Sequence, residues 1–220
     1  MDVASYFDSR HVLESERLLM RVIVKEDADD FYRYAKEDAL CRYLIWNPHT
    51  SRQYTVRYIE RVLSAYRDGR FFEFALVEKA TRRMIGTCGI TRVDAENRCA
   101  EIGYVIATDC QGKGYATEAV RTMLAFLFNT FGFHRVEARF MQGNAASLRV
   151  MEKNGMHFEG YLADALFCKG EYRTVGVAAI LKDEYRRSNP GAVSPCRKAT
   201  VSDYPDDKKR RFRSFFHFFE

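Results

Sequence analysis

The segment from Gln111 to Ala116 has the residue types and spacing of an anion-binding loop. It reads Gln-Gly-Lys-Gly-Tyr-Ala and joins a predicted strand to the clearest amphipathic helix pattern in the chain. Glycines let the backbone come close to a ligand, and the free N–H groups at the start of a helix attract negative charge. A pyrophosphate suits such a loop. The alternative is an ordinary strand–helix turn that contains glycine.

Two familiar phosphate-binding motifs do not match this loop. A P-loop requires a Ser or Thr directly after its Gly-Lys pair, whereas here Lys113 is followed by Gly114 and Tyr115. The dinucleotide-binding fingerprint requires a third small residue where Thr117 stands, inside a parallel sheet. Short polar connections separate the strands before the loop, and such connections indicate an antiparallel meander.

The elements around the loop follow the order β-α-α-β-β-β-α-β-α-β-β. Short apolar runs predict strands near residues 17–24, 71–78, 84–93, 99–106, 134–141, 156–162 and 172–181. Helical spacing predicts helices over residues 26–43, 51–68, 116–131 and 144–154. The strand–helix–strand unit in the middle indicates one parallel pair inside a mixed sheet. The predicted class is therefore α/β, with an α+β mixed sheet.

Charge is unevenly distributed along the chain. The net charge is +5 over 220 residues, and residues 186–220 hold nine basic and four acidic side chains. The preceding residues balance at 26 of each sign, so the basic character describes a tail and does not indicate that the body binds nucleic acid. We predict a domain over residues 14–185 and a flexible, disordered basic and aromatic tail over residues 186–220.

Targeting and metal signals are weak. No run approaches 18 apolar residues, and the first 19 residues lack the apolar core of a secretion signal, so the expected location is cytoplasmic. The six cysteines show no C-x-x-C pair, and we expect no metal site.

Five segments in chain order resemble the GNAT superfamily of acetyl-CoA-dependent N-acetyltransferases. The match extends over about residues 14–185, and its last segment, Asn-x-x-Ser followed by Glu-Lys-x-Gly, is typical of the RimJ/RimL branch of ribosomal-protein N-terminal acetyltransferases. The segments are Glu16–Leu19, Trp46–His49, Glu101–Ile106, Gln111–Val120 and Asn144–Met156.

The resemblance implies a role for each matched residue. Backbone amides from Gly112 to Ala116 would hold the CoA pyrophosphate, the pantetheine arm would lie along a splayed strand edge, and that strand's amides would polarise the thioester carbonyl. The implied cofactor-binding residues are Val105, Ile106, Gln111, Gly112, Lys113, Gly114, Tyr115, Ala116 and Asn144.

Acid–base roles carry over less completely. Glu101, at the start of the matched strand, is the candidate base, with an exposed strand carboxylate as the alternative. Many GNAT enzymes use a tyrosine as general acid, but Met151 stands at that position. Ser147 fits the RimJ/RimL pattern, in which a hydroxyl bonds the departing sulfur. Trp46, the only tryptophan, would line the acceptor site or anchor the core.

The function implied by the resemblance is N-acetyl transfer from acetyl-CoA, with no metal, to a primary amine in a ternary complex. A protein N-terminal α-amine is the expected acceptor. The alternatives are a small-molecule amine, such as a polyamine, an amino acid or an antibiotic, and a CoA-binding module without catalysis. The sequence leaves undecided whether the protein forms a homodimer and whether the tail contacts nucleic acid or a membrane.

Overall fold

A nine-stranded mixed sheet forms the frame of the protein. The computed structural model describes residues 3–7 and 10–205. The strand order across the sheet is β7-β8-β6-β5-β4-β3-β2-β1-β9, and the described neighbours are antiparallel except β5 and β6. The strands are β1 His11–Glu14, β2 Leu18–Arg21, β3 Phe72–Glu78, β4 Met84–Asp94, β5 Cys99–Ile106, β6 Arg135–Met141, β7 His157–Cys168, β8 Glu171–Leu181 and β9 Cys196–Lys198.

Helices cover both faces of this sheet. The α-helices are α1 Ala28–Ala35, α2 Asp38–Cys41, α3 Arg52–Arg67, α4 Tyr115–Phe126, α5 Ala145–Glu152 and α6 Lys182–Ser188. Phe74 of β3 packs against Phe126 of α4, with ring centroids 6.2 Å apart. Alternation along the strand turns Glu73 to the opposite face, where the Tyr66 hydroxyl of α3 bonds the Glu73 carbonyl. The face that carries α1 and α3 is called the acceptor face below, after the acceptor that the resemblance implies.

The predicted mixed sheet is confirmed, and several boundaries differ. The helix expected over residues 26–43 is divided into α1 and α2, because the chain turns at Lys36 and Glu37 with an extended Glu37. Residues 163–171, which lie between two predicted strands, belong largely to a long β7–β8 hairpin. Lys169 and Gly170 form its tight turn in left-handed conformations, which the sequence pattern did not reveal.

Among the described residues, the one parallel strand pair, β5 with β6, is short. Strands β5 and β6 pair from Cys99 to Ile102 on β5, and the pairing ends there. Strand β5 continues to Ile106, still paired with β4 on its other side, while β6 continues to Met141 against β8. The two strands therefore separate from Gly103 onward and leave a wedge-shaped gap in the sheet. The splayed edge that the resemblance implied is present.

The ends of the folded body lie beyond the expected limits of 14 and 185. Strand β1 precedes residue 14, and Phe7 is buried and stacks on Phe74 at 4.4 Å. Over residues 186–205 the predicted disordered tail needs correction, because β9 pairs with β1 at the edge of the sheet. An uncovered β1 would expose unpaired backbone groups, and β9 satisfies them.

Side chains attach this C-terminal segment firmly. Arg197 forms ion pairs with Glu14 at 2.6 Å and with Asp203 at 2.8 Å, so this tail cation is neutralised within the fold. Tyr204 is buried against the guanidinium of Arg21, 5.6 Å from its ring centroid. The basic run 208–213 and the aromatic residues after it lie outside the described residues. No helix in the described part of the chain is long and apolar enough to cross a membrane.

Candidate active site

The loop from Gln111 to Ala116 has the backbone conformation that anion binding requires. Gly112 and Gly114 have φ values of +74° and +84°, which favour glycine, and Gly114 caps the start of α4. A Cβ atom added at Gly112 would meet no atom within 4 Å, so the space above the loop is open. The first amides of α4 have no partner within the helix and face this end of it. The loop fits a pyrophosphate.

Side chains around the loop hold its shape. Tyr115 turns inward, is buried and bonds Glu78, so it presents its backbone amide to a ligand. Arg17 donates to the Lys113 carbonyl at 3.0 Å, pairs with Glu118 at 2.7 Å and lies 4.4 Å from the Tyr115 ring centroid. Sequence reasoning placed Arg17 only in a family segment and missed that it fastens this loop.

The splayed edge of β5 leads from the loop to the centre of the sheet. Gly103, Tyr104, Val105 and Ile106 all lie beyond the last residue paired with β6. Gln111 donates from Nε2 to the Ile106 carbonyl at 3.0 Å, so its side chain secures the end of the edge instead of lying free at the rim. The predicted residue Ile106 is thus joined to the predicted loop by a direct hydrogen bond, and Val105 directly precedes it.

Asn144 and Ser147 lie across the gap from this edge, at the start of α5. Asn144 is the N-cap residue, and its Oδ1 accepts from the Ser147 amide at 3.2 Å. The Tyr104 hydroxyl of β5 lies 2.9 Å from Ser147 Oγ and donates to the Ser147 carbonyl at 3.0 Å. Burial raises the pKa of Tyr104, so its hydroxyl keeps its proton at neutral pH.

Tyr104 is the site residue that sequence reasoning missed. It is part of the matched Glu101–Ile106 strand, but nothing in the spacing indicated that it would meet Ser147, which is 43 positions away. Met151, at the place where many family members carry a tyrosine, is 1% exposed and belongs to the core. The hydroxyl pair of Tyr104 and Ser147 therefore occupies the mouth of the gap.

Glu101 lies two residues before the gap, on the acceptor face. Its Oε1 accepts from the Thr91 hydroxyl at 2.8 Å, and its Oε2 lies 3.1 Å from Arg139 Nε and 3.8 Å from Arg92 Nε. The same arginines reach Glu137, at 2.9 Å for Arg92 and 3.3 Å for Arg139. The predicted base is thus embedded in a network of ion pairs.

The comparisons with known proteins agree with this geometry. Residues 17–157 match the family model of the acetyltransferase (GNAT) domain. The chain belongs to the GNAT family. It is therefore an acetyl-CoA-dependent acetyltransferase, as the resemblance predicted, and acetyl-CoA, when bound, supplies the acetyl group as a thioester.

Relatives extend over nearly the whole described body. The N-acetyltransferase p20 of Bacillus licheniformis is 32% identical over 173 residues, which cover 79% of this chain and 97% of p20. The ribosomal protein uS5-alanine N-acetyltransferase of Escherichia coli is 26% identical over 79% of this chain and 92% of its own length. The crystal structure of a GNAT acetyltransferase from Bacillus anthracis superposes with a TM-score of 0.70 at 25% identity, covering 78% and 99%. Ribosomal-protein acetyltransferases among the relatives support the RimJ/RimL-like branch.

On the acceptor face of this GNAT domain, aromatic rings cluster around His49. Trp46 is partly exposed, with its ring 5.5 Å from that of His49. His49 is buried, stacks on Phe31 at 5.5 Å and bonds Thr55 through Nδ1 at 2.8 Å. Burial lowers the pKa of His49, so it is neutral at pH 7. His49 packs inside this cluster, and Trp46 forms its outer wall.

A polar cleft of about 420 Å³ opens beside Asn144 and is called the acceptor cleft below. Strand β6 ends in it, the β7–β8 hairpin forms one side, and the residues after α2 form the other. Lys169 at the hairpin tip donates to the Cys41 carbonyl at 2.5 Å and ties the two sides together. The lining residues are Arg42, Tyr43, Met141, Gln142, Gly143, Asp164, Tyr172, Arg173 and Thr174. Within residues 3–7 and 10–205, no group of three or more His, Cys, Asp or Glu side chains could hold a metal ion.

Proposed function

We propose that this GNAT enzyme acetylates the N-terminal α-amine of a protein. The observation that supports this acceptor is the charge of the acceptor cleft, which contains two arginines, Arg42 and Arg173, and one carboxylate, Asp164, while Arg173 also pairs with Glu171. A polyamine carries several positive charges, and Arg42 would repel it. A peptide carries one positive charge at its end, followed by carbonyl groups that arginines can bind.

The chemistry of the amine points the same way. Direct transfer requires a neutral nitrogen. An α-amine has a pKa of about 7.7–8.0, so removing its proton at pH 7 costs about 1 kcal/mol, whereas a lysine side chain costs about 4.6 kcal/mol. An α-amine can therefore react with modest help from a carboxylate that acts through water.

Some residues at the gap would act on the thioester, and others would act on the amine. The amine nitrogen attacks the thioester carbonyl, the carbon–sulfur bond breaks, and the sulfur leaves as a thiolate that takes up a proton. Backbone amides of β5 polarise the carbonyl, and Ser147, bonded to Tyr104, hydrogen-bonds the departing sulfur. Glu101 receives the proton of the amine through water, and Trp46 borders the path of the acceptor.

Relatives support this acceptor without deciding it. The uS5-alanine acetyltransferase acts, by its name, on a ribosomal protein, and this chain aligns with 92% of it. A spermidine N(1)-acetyltransferase of Vibrio cholerae is 28% identical over 110 residues, which cover 50% of this chain and 64% of that enzyme. A polyamine is therefore the second candidate acceptor.

The experiment is a thiol-release assay with acetyl-CoA and matched acceptors. The panel contains an N-terminal Ala peptide with acidic residues at its next two positions, the same peptide with lysines there, the acidic peptide with an acetylated N-terminus, and spermidine. We expect turnover on the acidic peptide, weaker turnover on the lysine peptide, and no reaction with the blocked peptide.

Variants Glu101→Gln and Ser147→Ala are assayed beside the wild type, with CoA affinity measured by calorimetry. Both should lose turnover while CoA still binds. Turnover on spermidine alone would replace the protein acceptor with a polyamine. CoA binding without turnover on any amine would contradict the proposed acceptor classes.

A further inference from the structure

Glu73 is a second carboxylate on the acceptor face, and the sheet register places it in line with the gap. It lies on β3 directly opposite Gly89 of β4, and Gly89 lies opposite Gly103 of β5. Gly103 is the first residue at which β5 has separated from β6. Glu73 is thus two strand spacings, about 10 Å, from the point where the sheet opens.

Two glycines lie between Glu73 and the gap. A Cβ atom at Gly89 would come within 2.7 Å of Glu73 Cγ, so the glutamate side chain occupies the space above that glycine. At Gly103 beyond it, a Cβ atom would come within 2.9 Å of Thr91 Cγ2, so the Thr91 methyl group covers that glycine. The Glu73 carboxylate accepts a hydrogen bond from Thr87, which lies opposite Val105 on the splayed edge. The side chain therefore extends across β4 toward the part of β5 that the thioester would face.

The groups around Glu73 are neutral. Tyr34 of α1, together with Tyr58 and Tyr66 of α3, interacts electrostatically with Glu73, and Cys88 does so from β4. Burial raises the pKa of each of these four groups, so none is charged at pH 7. Desolvation raises the pKa of Glu73 to about 7, with the Thr87 hydrogen bond opposing the rise.

Glu73 also has a route to solvent and a neighbouring hydroxyl. Glu73 is partly exposed. The Tyr34 hydroxyl is buried and has no hydrogen-bond partner among the residues that the structure describes. This hydroxyl is a donor and acceptor that can hold a water molecule on the acceptor face. In Glu101, in contrast, Oε1 accepts from Thr91, and Oε2 lies 3.1 Å from Arg139 Nε in an ion pair.

We infer that Glu73 takes up the proton of the acceptor ammonium at the acceptor side of the gap. This inference rests on the proposed amine acetylation and puts Glu73 in place of Glu101 as the group that receives this proton. The N–H bond of the ammonium breaks, its proton passes to a water molecule, and that water gives a proton to the Glu73 carboxylate. The free electron pair of the nitrogen then attacks the thioester, and the carboxylic acid returns its proton to solvent.

The test compares Glu73→Gln with Glu101→Gln, because both changes preserve side-chain size. Glu60→Gln is the control, since Glu60 is an exposed residue of α3 that pairs only loosely with Lys25, at 3.3 Å. The measured quantity is kcat against pH at saturating acceptor, which reports groups in the bound complex. We expect Glu73→Gln to lower kcat at least 100-fold at pH 7 and to remove the rise of kcat between pH 6 and 8. Glu73→Asp should restore part of kcat and keep a rise with pH.

Two outcomes would overturn the inference. One is a Glu73→Gln variant that keeps the rise of kcat with pH while Glu101→Gln loses it, which would make Glu101 the base. The other concerns the titration itself. Carbon-13 NMR of glutamate-labelled protein should show one carboxyl that titrates near pH 7, present in Glu101→Gln and missing in Glu73→Gln, and its absence from the wild type would contradict the proposal.

The acceptor panel separates this inference from the proposed function. If spermidine reacts and the peptides do not, the protein acceptor fails, and the pH profiles with spermidine still decide the role of Glu73. If the peptides react and Glu73→Gln matches the wild type, the proposed function holds and the inference fails. If no amine reacts while CoA binds, both fail.

Discussion

The CoA side and the acceptor side of this enzyme are built in different ways. The CoA side is local, because one loop of six residues, one helix N-terminus and the end of β5 supply its groups within 20 positions of each other. These groups are mostly backbone amides. The proposed acceptor side collects side chains from the residues after α2, from β3 and β6, and from the β7–β8 hairpin, which are spread over more than 130 positions. A common ligand can be held by a short stretch of backbone geometry, whereas a specific acceptor requires side chains that tertiary packing brings together.

The first prediction concerns the backbone of the CoA side and has the largest expected effect. Gly112→Val places a β-branched residue at φ +74° and a side chain in the open space above the loop. CoA affinity should fall about 100-fold, or about 2.7 kcal/mol. Gly191→Val is the matched control, since Gly191 also has a left-handed φ, +77°, and open surroundings. Calorimetry that gives equal losses for both variants would contradict a specific role of the loop.

The second prediction concerns the hydroxyl pair at the boundary of the two sides. Ser147→Ala should lower kcat about 100-fold, in the range for loss of an acid–base group. Tyr104→Phe should lower kcat less, and the double variant should match Ser147→Ala, because the two hydroxyls act as one hydrogen-bonded unit. CoA affinity should not change. Tyr32→Phe, in α1, serves as the control. Additive losses in the double variant would show that the hydroxyls act independently.

The third prediction concerns the stability of the folded protein and its dependence on pH through Glu73. Since the pKa of Glu73 is raised in the folded state, to about 7, the folded protein holds a proton there that the unfolded chain has released above pH 4.5. The wild type therefore loses stability as pH rises from about 4.5 to 7. Glu73→Gln removes this loss and should be more stable than the wild type by about 1–3 kcal/mol at pH 8, with a smaller difference at pH 5.

Urea unfolding at both pH values checks this third prediction. Glu60→Gln should show a difference from the wild type that does not change with pH. A variant that is more stable but less active would mark Glu73 as a residue kept for catalysis at a cost in stability. Equal stability of the wild type and Glu73→Gln at pH 8 would contradict the desolvated state of the carboxylate.

The fourth prediction concerns the cations of the acceptor cleft and has the smallest effect. Arg42→Ala and Arg173→Ala should each raise KM for an acidic peptide about threefold to tenfold, because these partly solvated charges are screened. The kcat value and CoA affinity should stay near those of the wild type. Arg186→Ala on α6 is the control. A decrease of KM for spermidine in the same variants would show that the two arginines favour acidic peptides over polyamines. Unchanged KM values for all acceptors would show that the acceptor does not bind in this cleft.

Much of the CoA side could be predicted from the sequence. The glycine spacing, the amphipathic helix after it and the strand before it are local patterns, and the structure places all of them together. The side-chain orientations within that loop were not evident. Tyr115 turns inward and Gln111 bonds the end of β5, because each finds a partner from another part of the fold.

The C-terminal segment shows how composition alone can mislead. Residues 186–205 look like a linker because they contain Ser, Asn, Pro, Gly and basic side chains. The three residues of β9 are too few to stand out as a strand, and their partner is 185 positions away in β1. The charge of Arg197 looked like part of a basic tail, and only the fold brings Glu14 and Asp203 to it.

The sequence by itself determined the family, the mixed sheet, the CoA loop and the identity of Ser147 and Glu101 as candidates. Those features depend on short-range spacing, which the backbone repeat of one helix or one strand sets. Only the tertiary structure brought Tyr104 to Ser147, aligned Glu73 with the gap across two glycines, and surrounded Glu101 with arginines. Such contacts depend on strand register and on packing between distant elements, and a single sequence does not encode either in any local pattern.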